Sequence, residues 1–138
     1  MTAITEKWAR TAAAGAELDR VVAGSGILTT EEMFQIPGKW ALPTELPPYS
    51  NPLNNSGPPF STSWSAAGPL LEAISPPWSL SPNEDGGFIM LPYRMTVLNI
   101  VGGNRYTWPR AEDPCLAIAR ACAVLVARGI TREDLEDV

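Results

Sequence analysis

Ser61-Thr62-Ser63-Trp64 and Asp113-Pro114-Cys115-Leu116 each join a helix-capping residue to the start of an apolar run, and together they decide the fold. In the first, a serine or threonine of the 61–63 group is placed to accept from the early backbone donors that a helix leaves unpaired. In the second, Asp113 is the cap and Pro114 takes the first helical position, where its missing donor is harmless. Trp64, Ala67, Leu71 and Ile74 follow at three- and four-residue spacings and predict one apolar face, with Trp64 in the core. Gly68-Pro69 inside that run should kink or split the helix, and Ser75-Pro76-Pro77 should end it. In the later helix, Cys115, Ile118, Ala119, Cys122, Leu125 and Val126 form the predicted buried stripe. Gly129 ends it, and Arg128 stands near the negative end of the dipole.

Between these helices the period changes. Trp78 to Leu80 is a short strand candidate, followed by turn chemistry over Pro82-Asn83-Glu84-Asp85-Gly86-Gly87. Phe88 to Leu91 and Tyr93 to Val101 carry the β-branched and aromatic residues of strands, with Pro92 marking an edge or bulge. Gly102-Gly103-Asn104 suits a hairpin turn, with Arg105-Tyr106-Thr107-Trp108 as the return strand. The expected fold is α+β: a small α-β-α sandwich whose three- or four-stranded, mainly antiparallel sheet is packed with helices.

Upstream, Ala12 to Ala23 predicts a helix with Leu18, Val21 and Val22 on its apolar side, ended by Gly24-Ser25-Gly26. Residues 1–11 show no period and are expected to fray, with Trp8 alone docking. Thr29 or Thr30 with Glu31 and Glu32 starts a brief helical turn that Pro37 closes. Seven of the fourteen prolines fall between Pro37 and Pro59, which rules out a regular element there. That stretch keeps Trp40, Leu42, Leu46 and Tyr49 and reads as an extended strap lying on the body. Thr131 to Asp137 predicts a short capped terminal helix, with an acidic tail in which Glu133, Asp134, Glu136 and Asp137 surround Leu135.

A chain of 138 residues supports one core, so residues 1–138 are read as a single domain. No run approaches the roughly 18 apolar residues of a spanning helix, and the first residues lack a signal-peptide core, so a soluble protein with no membrane partner is expected. The net charge of −5 argues against non-specific nucleic-acid binding. Cys115 and Cys122, seven residues apart on one helix, lie about 10 Å from each other, too far for a mutual disulfide. They read as small buried residues in a reducing cytoplasm.

With no histidine, the commonest general base and every Ser-His or Cys-His arrangement are excluded. Glu84-Asp85 reads as a turn and Asp113 as a cap, so no catalytic residue, metal site or cofactor is assigned. The best candidate site is cationic. From Gly86 to Ala111 the chain has no acid but carries Arg94, Arg105 and Arg110, interleaved with Tyr93, Tyr106 and Trp108. Guanidinium groups pair bidentately with phosphate, and aromatic faces stack on a base. Arg94, Arg105, Arg110, Tyr106 and Trp108 are therefore the candidate ligand-binding set, against the alternative of an outward strand face with solvated arginines. Trp40 and Tyr49 of the strap are candidates for partner binding, against the alternative of packing on the sheet.

A family resemblance rests on three strings. Ser61-Thr62-Ser63-Trp64-Ser65-Ala66-Ala67-Gly68-Pro69-Leu70-Leu71-Glu72 resembles the capped helix of small phage proteins of the ABA-sandwich, NinX-like kind. Asp113-Pro114-Cys115-Leu116-Ala117-Ile118-Ala119-Arg120-Ala121 resembles their closing helix, and Gly15-Ala16-Glu17-Leu18-Asp19-Arg20-Val21-Val22-Ala23 their opening one. The strap is longer than the family's pattern, as is the hairpin around Gly102-Gly103. The resemblance implies a phage or prophage protein in the host cytoplasm, without assigned enzymatic activity. The resulting expectation is an accessory protein that acts by binding, in its sharpest form an anti-defence protein that sequesters a nucleotide-derived signalling molecule. The alternative is an adaptor or inhibitor that engages a host enzyme through the strap. An open sheet edge also makes a homo-oligomer a candidate state.

Overall fold

The run from Pro114 to Ala127 is apolar on nearly every side, with Arg120 as its one charged residue, and such a helix must be surrounded. The computed structural model describes residues 4–38, 40–42, 57–74, 78–82, 84, 86–92 and 108–136, and it places this helix at the centre. In chain order the helices are α1 (Glu6–Thr11), α2 (Ala16–Ala23), α3 (Thr30–Phe34), α4 (Trp64–Ile74), α5 (Pro114–Ala127) and α6 (Arg132–Glu136). The strands are β1 (Trp78–Pro82), β2 (Phe88–Pro92) and β3 (Arg110–Ala111). The fold is α+β, with a three-stranded antiparallel sheet, ordered β1-β2-β3, packed against helices.

Helix α5 meets α1, α2 and α4 as well as all three strands. Its buried set is wider than the expected stripe, because Ala117, Ala121, Ala123 and Val124 are enclosed along with Cys115, Ile118, Ala119, Cys122 and Leu125. The alanines let neighbouring backbones come close, and each large side chain buried there contributes on the order of 1.5–3 kcal/mol. Both cysteines are buried free thiols. Asp113 caps the helix as expected, its Oδ1 accepting from the Cys115 N–H at 2.7 Å.

In the sheet, Trp78 pairs with Pro92 and Pro82 with Phe88, so β1 and β2 form an antiparallel pair. Ile89 pairs with Arg110 and Phe88 with Ala111. The described return strand thus begins at Arg110, two residues after the expected one ends. Tyr93 to Val101 and 102–107 lie outside the described residues, as do 43–56 of the strap and Ser75-Pro76-Pro77.

Four expectations are corrected. Residues 6–11 form a helix: the Thr5 hydroxyl accepts from the Trp8 N–H, and Ala9 is buried where α1 packs on α5. The predicted Ala12–Ala23 helix starts only at Ala16, because Gly15 has φ +147° and sends its N–H to the Ser61 hydroxyl at 3.0 Å. Helix α4 is not split at Gly68-Pro69: it continues from Trp64 to Ile74 with Pro69 inside, at the cost of the backbone donor that proline lacks. Its buried face is Ala66, Ala67, Leu70 and Ile74, and Trp64 is 54% exposed rather than in the core. The brief helix at Thr30 forms with the Thr29–Glu32 capping box. Helix α6 docks through Leu135, which is buried, so this acidic helix is anchored by an apolar residue.

Candidate functional site

The N-terminus of α5 and the edge formed by β3 enclose a cleft of about 490 Å³, lined by Gly87, Arg110, Ala111, Glu112, Asp113, Leu116 and Arg120. Gly87 is required there: a Cβ would stand 2.6 Å from the Ala111 carbonyl oxygen, so no side chain fits between the start of β2 and the end of β3. The β3 edge is registered from the other side by the Met90 N–H, which donates to the Pro109 carbonyl at 2.8 Å.

Arg120 is the fixed point of the cleft. It projects from α5, its Nε donating to the Ala12 carbonyl at 2.8 Å and its Nη1 to the Arg110 carbonyl at 2.6 Å. One guanidinium therefore ties the end of α1 and the β3 backbone to the central helix. Burial pulls its pKa below the usual arginine value, yet arginine stays cationic in proteins. Arg110, whose carbonyl is held in this way, is itself exposed. The lining also contains Glu112 and Asp113, so the formal charges cancel, and Asp113 is engaged as the helix cap. Such a cleft suits a ligand with one anionic group near Arg110 and neutral polar groups beyond it. Cys115, in the first turn of α5, is held as a thiol: burial, then the neighbouring Asp113 charge, pushes its pKa up to about 11.

Of the five residues expected to bind ligand, the cleft contains Arg110. Trp108 is corrected. It is 4% exposed, its ring meets Trp78 edge-on at 5.6 Å, and the Arg128 guanidinium lies 4.8 Å from the ring centroid. The chain turns inward before β3 begins, so Trp108 packs where stacking on a base was expected. Arg94, Arg105 and Tyr106 lie outside the described residues. Of the partner-binding pair, Tyr49 also lies outside them. Trp40 is partly buried against the core, donates its indole N–H to the Ile36 carbonyl at 3.1 Å, and stacks on Phe34 at 5.9 Å.

Sequence reasoning missed Arg120 as a functional position, although a single charge within an apolar helix was the available signal. It also missed the buried Asp19, whose Oδ1 accepts from the Ser61 N–H at 2.9 Å and joins α2 to the approach of α4. Burial raises the Asp19 pKa, and the Ser61 bonds oppose that rise.

Comparison with known proteins adds no family: the chain matches no family model, no curated protein and no solved structure. Among the described residues no group of side chains has metal-ligating geometry, and no helix is long and apolar enough to cross a membrane.

Proposed function

We propose that the protein acts by binding a small phosphorylated molecule in the cleft between β3 and the N-terminus of α5. The observation that carries this reading is Arg110, exposed at a cleft whose volume matches small-molecule sites and whose backbone is fixed by Arg120. Arg110 holds the phosphate, and the first-turn region of α5 adds a favourable dipole. Arg94, Arg105 and Tyr106, close in sequence, extend the same ligand surface in this reading. The acid-free arginine and aromatic segment in an otherwise acidic chain favours a nucleotide-derived immune signal as the ligand, and the resemblance of the three strings to phage ABA-sandwich proteins favours a non-enzymatic anti-defence accessory in the host cytoplasm. Association along the edge strand β1 makes it a homo-oligomer, a point that size-exclusion chromatography addresses.

Thermal shift against a panel of linear and cyclic nucleotides tests the reading. Stabilisation by at least one nucleotide, lost in Arg110→Ala while the variant remains folded, is the expected result. Absence of any shift across the panel removes the small-molecule reading, and turnover of a nucleotide would replace binding by catalysis.

A second reading, an adaptor or inhibitor of a host enzyme, is supported by a different observation. Phe34 is 63% exposed and stacks on Trp40, next to the proline-rich strap.

A further inference from the structure

A second recess, about 330 Å³, lies away from the Arg110 cleft, between α3 and α4 and beside α6. Its apolar walls are Leu28 and Ile36 on one side and Pro69 and Ala73 on the other. Two carboxylates reach it, and they differ. Glu32 is already neutralised, since the Arg132 guanidinium pairs with it while also donating to the Ile27 carbonyl at 3.0 Å. Glu72 is exposed and has no hydrogen bond or ion pair among the described residues. The recess therefore offers apolar walls and one uncompensated negative charge. At its Ile36 end stands the Phe34–Trp40 stack, joined to Ile36 through the indole hydrogen bond.

We propose that this recess receives a peptide segment of a protein partner that presents an apolar side chain to Leu28, Ile36, Pro69 and Ala73, and a lysine or arginine to Glu72. Charge complementarity selects that occupant. Of the strap, residues 40–59 contain no lysine or arginine, so beyond Lys39 it has no cation to offer. A net charge of −5 likewise makes a second copy of the chain a poor match for an acidic recess. The inference deepens the adaptor reading by giving the partner's chemistry, and it is independent of any ligand at Arg110.

The test uses the full chain and two capped synthetic peptides, acetyl-Leu-Leu-Lys-Leu-amide and its counterpart with glutamate in place of lysine, followed by backbone-amide NMR. Saturable shifts at Ile36, Glu72 and Ala73 with the lysine peptide, and markedly weaker ones with the glutamate peptide, are expected. Glu72→Gln weakens the lysine peptide about threefold to fivefold, the scale of one exposed charge pair, and Glu72→Lys abolishes its binding. Equal shifts with both peptides, or none at these amides, overturn the proposal. So do shifts at the same amides that appear on raising protein concentration alone, which would make the occupant a second copy. Failure of the nucleotide panel leaves this outcome untouched.

Discussion

Arg120 and Arg132 do the same mechanical job at two places in the molecule by different physics. Arg120 is partly buried on α5, and its two described bonds go to backbone carbonyls, Ala12 and Arg110, with no carboxylate involved. Arg132 leads α6 and reaches across to α3, where its partners are the Glu32 carboxylate and the Ile27 carbonyl. The first arrangement is a cation held by dipoles in a low-dielectric setting, so neither salt nor a carboxylate's titration reaches it readily. The second is a half-exposed ion pair, partly screened by salt and titratable. The Arg110 cleft is consequently built on a rigid frame, while the recess between α3 and α4 is bounded by a clasp whose strength follows solution conditions.

The largest effects should fall on the α5 frame itself. Ile118→Ala removes a side chain with no exposure from the centre of that helix, and a loss of about 2–5 kcal/mol is expected in urea denaturation. A loss below 1 kcal/mol would mean that α5 is not the body to which Arg120 anchors the cleft. Next comes Arg120→Met, which retains the aliphatic stem but strands the Ala12 and Arg110 carbonyls. It should destabilise by about 1–3 kcal/mol, equally in low and high salt. A strongly salt-dependent loss would erase the distinction between the two arginines.

Much of this frame is legible in the sequence because its signals are local. Asp113-Pro114 and the Thr29–Glu32 box act within one helical turn, and both form where expected. Gly86 and Gly87 bend within the stretch predicted to turn, and the flanking strands pair antiparallel as expected. What is hidden depends on distant partners. The six-residue α1 has too little periodicity to announce itself and exists because Thr5 caps it and Ala9 docks on α5. Trp64 lies outside the core for another reason: spacing gives the period of a face, not which face the core receives. Its indole lies instead along its own helix, where Gly68 leaves room, Trp64 Nε1 falling 3.5 Å from where a Cβ at 68 would stand. Ser61 reads as a cap, yet its groups go to Gly15 and Asp19. The partners of Arg120 are carbonyls, which no residue type reveals. Of the two described members of the expected ligand set, Arg110 lies in the cleft and Trp108 does not, because Trp108 looks like any strand aromatic until Trp78 is seen beside it.

Asp19 extends the contrast to carboxylates. Its folded pKa is raised above the usual value, so it favours the folded state most at acid pH, and that favour declines as pH rises through the raised value. Asp19→Asn keeps an oxygen for the Ser61 N–H and removes the buried charge. At neutral pH the variant should match or exceed the parent by up to about 1 kcal/mol, the scale of a single buried hydrogen bond. Below the ordinary aspartate range the two should converge. A variant less stable at neutral pH would show that an unseen cation compensates the carboxylate.

Glu32 runs the opposite way and has the smallest expected effect. The Arg132 hydrogen bond, aided by the Thr29 N–H, holds its pKa down to about 2. A lowered folded pKa stabilises above the unfolded value of 4.5, and that stability is lost as pH falls from there through about 2. Taken at face value the shift is large, but the carboxylate is half-exposed and water screens it, so about 0.2–1 kcal/mol is expected. Glu32→Gln should therefore cost this much at neutral pH in low salt, less in high salt, and nothing near pH 2, whereas Arg120→Met is insensitive to both variables. Denaturation curves of the two variants across that acid range and at two salt concentrations decide the matter. Parallel behaviour would mean that the ion pair is incidental and that α6 is held by buried Leu135 and the Arg132–Ile27 hydrogen bond. Divergence would make the Arg132–Glu32 clasp a salt-tunable wall of the recess beside Glu72, and peptide affinity there should then depend on ionic strength more steeply than one lysine–Glu72 pair accounts for.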